Sequence, residues 1–313
     1  LVLSSVREVI LVRTRSLGLL VAATAMVTVL VAGCLATGYG APVSRAPEGR
    51  TSRVAPLVQA VVPPGQPTGG FAELAAHIQQ ATDAAAAAGA ELSVAALDRA
   101  TGQMVSGGDD RLIGIASVAK LFIADDLLLA EAQGKTQLSP DDRAALDIML
   151  RGSDDNAAEN FWNQRGGEAI ITAVASRYGL TSTTPPSDGR WWNTMSSTSD
   201  LVRYYDMLLD GSGGLPAEQA DIIIGDLAES TAIGVDGYPQ RFGIPDGLDA
   251  EPVAVKQGWM CCIGNDWMHL STGVIGPDRR YIVVIESLQP SDDATARATI
   301  TQAVKTMFPG GRI

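Results

Sequence analysis

Ser117 and Lys120 stand three residues apart at the head of an apolar run, Leu121 to Ala130, whose only charges are Asp125 and Asp126. A run of this composition reads as a helix packed into a core. On a helix, a spacing of three lays the lysine ammonium over the same face as the serine hydroxyl. The hydroxyl is a poor nucleophile until a base takes its proton, and a lysine desolvated by apolar neighbours has a depressed pKa and can be that base. The first turn of a helix also carries free N–H groups and the positive end of the dipole, which favour developing negative charge. Taken alone, Ser-x-x-Lys describes an N-cap serine and a surface lysine equally well.

The surrounding chain must supply elements that hold such a pair. Phe71 to Gly89 is Ala-rich and helical, and Leu92 to Asp98 reads as a buried strand that turns at Thr101-Gly102 into a second strand, Gln103 to Ser106. Ser139-Pro140-Asp141-Asp142 is a helix start: an N-cap, proline at the first helical position, then acids in the first turn. That helix should run to about Leu150, with further helices at Ala157 to Asn163, Glu168 to Tyr178, Ser199 to Leu209 and Pro216 to Glu229. The loop from Thr181 to Thr194 separates the second and third of these. Strands follow at Val253 to Gln257, Trp267 to Ile275 and Tyr281 to Leu288, and Asp292 to Phe308 closes the chain as an amphipathic helix. The pattern is α+β: one antiparallel sheet built from both chain ends, flanked by helices, with a helical subdomain inserted. A cleft where sheet and inserted helices meet is the default site.

The order of these features resembles the penicillin-recognising serine enzymes, specifically the class A β-lactamase and D-Ala-D-Ala peptidase-like fold, over roughly residues 71–308. Ile115 to Lys120 looks like that family's nucleophile motif, Asp154-Asp155-Asn156-Ala157-Ala158-Glu159-Asn160 is similar to its S-D-N-x-A-A-N stretch, and Lys256-Gln257-Gly258 stands where K-T-G is expected. Three ordered motifs on the right element types are far more specific than any one. The resemblance implies Ser117 as nucleophile and Lys120 as base. It implies Asn156 as a holder of the substrate amide or the Lys120 ammonium, and Lys256 as the grip on a carboxylate. It also implies an oxyanion site from the N–H of Ser117 and one from the strand just after Gly258.

Three departures bear on turnover. Asp154 stands in the shuttle serine's place, with Ser153 adjacent and able to reach it through a one-residue bulge. An ionised Asp154 cannot donate a proton, and it would raise a neighbouring lysine's pKa. Gln257 replaces a threonine, and the loop from Thr181 to Thr194 contains no glutamate to activate a deacylating water. Each lost transition-state hydrogen bond costs about 2–4 kcal/mol, so a persistent acyl-enzyme or no turnover is expected. The gap between the serine helix and Asp154 is also shorter than in the lactamases, which should remove one wall of the cleft.

Composition narrows the alternatives. A formal charge of −12 with no Lys/Arg cluster argues against nucleic acid as a partner. Three cysteines and two histidines without metal-ligand spacing argue for no metal site, and no cofactor is expected. Arg13 and Arg15 precede an uncharged run from Leu17 to Ala32 that ends Val31-Ala32-Gly33-Cys34. That is a secretory signal (residues 1–33) with an ending that resembles a bacterial lipobox, which implies cleavage before Cys34 and a lipid on its thiol. Residues 34–69, rich in Ala, Gly, Pro and Ser, read as a tether to a domain at 70–313.

Other residues have two readings each. The Trp191-Trp192 pair packs the loop against the body or lines the cleft, with packing favoured. The adjacent Cys261 and Cys262 form a disulfide or remain buried thiols. His77 and His269 read as structural, and Glu168 as a helix N-terminal acid. The expected protein is a lipid-anchored lipoprotein on the outer face of the bacterial cell membrane. It would recognise β-lactams or peptidoglycan stem peptides through Ser117 with weak or lost turnover. The alternatives are a non-catalytic binding or scaffold protein of the same fold, and an active β-lactamase.

Overall fold

The computed structural model describes residues 69–313. The signal, Cys34 and tether expectations therefore lie outside the described residues. The elements in chain order are α1 (Gly69–Ala87), β1 (Glu91–Asp98), β2 (Gln103–Gly108), β3 (Ile113–Gly114), α2 (Lys120–Ala132), α3 (Pro140–Arg151), α4 (Asp155–Arg165), α5 (Glu168–Tyr178), β4 (Met195–Ser196), α6 (Thr198–Asp210), α7 (Ala217–Ala228), α8 (Ile244–Gly247), β5 (Val253–Ile263), β6 (Asp266–Ile275), β7 (Tyr281–Gln289) and α9 (Asp293–Met307).

Five strands form one sheet in the order β2-β1-β7-β6-β5, antiparallel throughout. Strands from the two ends of the chain meet at its centre, where Glu91 pairs with Leu288 and Asp98 with Tyr281. Side chains of a strand alternate between faces, and the burial follows that period. Ala95, Leu97, Ile282 and Val284 enter one core with the inserted helices. Leu92, Val94, Ala96, Val283 and Ile285 enter a second core shared with residues of α1 and α9, among them Ile78 and Val304. Both faces of the sheet are covered, which is why β1 and β7 read as near-continuous apolar runs.

The inserted helices have local reasons for their ends. Ser139 and Asp142 form a reciprocal capping box at α3, with Pro140 at its first turn, as the sequence predicts. The first core is pinned by a buried carboxylate: Asp125 of α2 accepts from Arg177 and from the Tyr178 hydroxyl of α5. An uncompensated carboxylate there would be costly, so the pair fixes how the two helices dock. Among the described residues, no helix is long and apolar enough to cross a membrane.

Candidate active site

Ser117 lies in a single 3-10 turn, Ala116–Ala119, that leads directly into α2, one step earlier than the first turn of the helix itself. Ala116 has φ of 47°, a left-handed backbone that costs a residue with a Cβ about 1–3 kcal/mol. The surroundings enforce it. Ile115 N–H donates to Thr194 O at 2.9 Å, and β3 pairs with β4 just before the turn. On the other side β5 comes so near that a Cβ on Gly258 would stand 2.7 Å from Ile115 O. Only glycine permits that approach, and it brings the β5 backbone beside the serine turn.

Lys120 is fully buried, and its Nζ reaches four oxygens: Ser117 Oγ at 2.9 Å, Ser153 O at 2.7 Å, Ser153 Oγ at 3.1 Å and Asp155 Oδ1 at 2.7 Å. An ammonium has three protons for four oxygens. In the neutral amine, the lone pair can accept the Ser117 proton, the first step of nucleophile activation. Burial moves the Lys120 pKa below the ordinary lysine value of 10.5, while the charge of Asp155 pulls it back up. The nitrogen also sits 4.8 Å from the centre of the Trp191 ring.

The second motif is shifted by one residue from the expected register. Ser153, with φ of 56°, stands between the two lysines: its Oγ lies 3.1 Å from Lys120 Nζ and 2.9 Å from Lys256 Nζ. Asp154 turns away to cap α4, accepting from Ala157 N at 2.7 Å. Asp155, not Asn156, faces Lys120, and Asn156 is exposed and outside the lysine's partners. The physical cause is the left-handed residue before the helix, which aims the Ser153 hydroxyl and carbonyl inward and leaves Asp154 as the N-cap. The motif is thus Ser153-Asp154-Asp155, with an aspartate where the expected asparagine would stand.

Lys256 and Gln257 part company, because neighbours on a strand face opposite ways. Lys256 is 1% exposed and donates to Ser153 Oγ and, at 3.2 Å, to Gln257 O. Burial, then the positive charge of Lys120, drive its pKa well below the ordinary value. Gln257, in the place of the family's threonine, does not line the cleft. Its amide donates away from the cleft, to Gln240 O at 3.1 Å and Phe242 O at 2.6 Å. There it ties down the segment that follows Asp236.

Above the serine opens a cleft of about 230 Å³ lined by Ala116, Ser117, Asp155, Trp191, Trp192, Asp236, Trp259 and Met260. Both expectations for the tryptophan pair are realised. Trp191 is buried and donates to Glu159 Oε2 at 3.1 Å, and both rings face the cleft. Trp259 stacks on Tyr238, 4.4 Å between centres and 7° between planes. Asp155, Asp236, Trp259 and Met260 are the lining residues that the motifs did not single out. Asp155 was recoverable from the one-residue shift, whereas Asp236 sits in a loop with no pattern to mark it. Cys261 and Cys262, at the end of β5, are joined in a disulfide. His77 lies on α1, His269 is buried in β6, and Glu168 opens α5.

This architecture is that of the class A β-lactamases. A β-lactamase from Chitinophaga pinensis superposes with a TM-score of 0.61 at 17% identity, covering 74% of this chain and 98% of that one. One from Bacteroides cellulosilyticus gives 0.61 at 15%, covering 75% and 97%. A PBP-A mutant solved as its acyl-enzyme complex with penicillin G gives 0.61 at 19%, covering 76% and 96%. No protein-family model matches the chain. Proteins of Mycobacterium bovis and Mycobacterium tuberculosis named "Putative lipoprotein LppW" are 66% identical to it, covering 96% of this chain and 100% of theirs. The chain belongs to the LppW lipoprotein family.

Proposed function

We propose that this chain is a lipid-anchored envelope protein, tethered through Cys34 outside the cytoplasmic membrane, whose domain accepts acyl groups on Ser117 from β-lactams or peptidoglycan stem peptides and turns over slowly or not at all. The observation that carries it is the unbroken polar path Ser117 Oγ, Lys120 Nζ, Ser153 Oγ, Lys256 Nζ, with successive separations of 2.9, 3.1 and 2.9 Å. Neutral Lys120 removes the Ser117 proton as Oγ attacks the carbonyl carbon. The carbonyl oxygen becomes an oxyanion beside the N–H groups of Ser117 and Trp259. On collapse the C–N bond breaks, and the leaving nitrogen takes a proton from Ser153, which recovers one from the lysines. Water must then release the acyl group, and no glutamate in the loop from Thr181 to Thr194 is there to activate it.

A second reading rests on Asp155. Its carboxylate beside Lys120 favours the ammonium, which cannot act as base, and so favours a binding protein that keeps the fold without the chemistry. A fluorescent penicillin, read by denaturing gel, separates the two. Covalent label that disappears in Ser117→Ala supports acyl transfer. Folded protein with no label at any concentration supports binding alone, and rapid nitrocefin hydrolysis would restore a working lactamase.

A further inference from the structure

The cleft above Ser117 presents no cationic side chain among its lining residues, although both lysines of the site lie directly behind it. Lys120 is 0% and Lys256 1% exposed, and each spends its donors on protein oxygens. What lines the cleft instead is two carboxylates and three indoles. Asp155 is 66% exposed and spent on Lys120. Asp236 is exposed, with one oxygen accepting from Tyr238 N at 2.9 Å, and its charge acts on both lysines from the cleft side. The Arg190 guanidinium lies 5.8 Å from the centre of the Trp192 ring and pairs with Asp188. Electron-rich indole faces beside a carboxylate attract a positive charge, and a carboxylate ligand entering here would meet Asp236 and find no free ammonium.

We infer that the cleft selects ligands carrying a primary ammonium group, held between Asp236 and the faces of Trp192 and Trp259, over ligands carrying a carboxylate. The inference rests on the acyl-accepting reading of Ser117 and narrows its substrate class: of the two kinds of donor proposed, it favours a peptide amide with an ammonium on the side chain next to the scissile bond over a β-lactam, whose carboxylate would meet Asp236. Ser117, nine-tenths buried at the cleft floor, sets where the carbonyl must sit. Asp236 sets where the charge must sit.

The probes are hexylammonium and its near-isostere hexanoate, titrated against tryptophan fluorescence of the full-length protein. Hexylammonium is expected to change the emission saturably and hexanoate to leave it unchanged. Asp236→Asn keeps the acceptor for Tyr238 N and should weaken hexylammonium by roughly twofold to fivefold, the range for a charge pair at a solvent-facing mouth. Equal binding of hexanoate, no binding of hexylammonium, or binding indifferent to Asp236→Asn would each overturn the inference. Labelling of Ser117 by a neutral fluorophosphonate is measured in parallel. Loss of labelling with ammonium binding intact sinks the acyl-transfer reading alone, whereas labelling without ammonium binding sinks only the ligand class.

Discussion

Lys120 Nζ and Asp155 Oδ1 stand 2.7 Å apart, yet the lysine side chain is 0% exposed and the aspartate 66%. The pair spans the boundary between the interior and the cleft. Burial favours the neutral amine, and the carboxylate favours the ammonium, so Asp155 shifts how much neutral amine is present at a given pH.

Replacing Asp155 with Asn removes the largest influence that raises the Lys120 pKa, leaving burial, which lowers it, opposed only by the more modest pull of Asp154 and Asp236. The ammonium then gives way to the amine at a lower pH. Acylation of Ser117 should rise with pH in both proteins, with the D155N inflection displaced to lower pH. Below both inflections the variant should label faster, by about tenfold for each unit of displacement. Stopped labelling reactions from pH 5 to 10 would check this, and an unmoved inflection would mean that Asp155 does not act on the base.

Gly258→Ala places a Cβ against Ile115 O, backbone against backbone. Neither atom is the end of a flexible side chain, so β5 and the serine turn must separate. The expected cost is about 1–3 kcal/mol in stability, with loss of Ser117 labelling. Denaturant unfolding and the labelling gel report the two effects separately. A variant that labels normally would show that the close approach has no part in placing the serine.

Gln257→Ala takes the amide donor from the carbonyls of Gln240 and Phe242, which keep only the longer bonds from Phe242 N at 3.2 Å and Ser271 Oγ at 3.5 Å. Each hydrogen bond lost costs about 0.5–1.5 kcal/mol. Because the same segment follows Asp236, amide hydrogen exchange should quicken between residues 234 and 243 while α3 and α5 keep their protection.

Glu286 is buried on β7, and burial raises its pKa to about 8 even with the opposing charge of Arg111 nearby. The folded chain holds this proton where the unfolded chain has released it, so the contribution is complete below about pH 4.5 and is lost as pH rises toward 8. Glu286→Gln removes the dependence, and its melting temperature should fall less than that of the parent between pH 5 and 9. Parallel slopes in thermal melts across that range would show that Glu286 is not protonated in the fold.

Much of the architecture was legible because its signals are local. The near-continuous apolar run of β1, the capping box of α3 and the apolar run of α2 each fix an element without reference to distant residues. Ser117, Lys120 and Lys256 were legible through motif and element type together. The register of Ser153 was not, since one left-handed residue decides whether Ser153 or Asp154 faces inward, and no composition rule reports that angle. The partners of the Gln257 amide were not legible for a related reason: the acceptors that claim it, the carbonyls of residues 240 and 242, lie on a distant segment. Asp236 reaches the cleft only through tertiary placement of its loop.

Tyr238 has one foot in each half of the molecule. Its ring lies flat on Trp259 at the cleft wall, while its hydroxyl donates to Asp293 at the start of α9 and stands 2.7 Å from His269 Nε2. The first turn of the last helix therefore braces the cleft wall. A truncation that removed α9 would take Asp293 with it and leave that wall unsupported, so a sample shortened there would be a poor judge of whether this cleft binds.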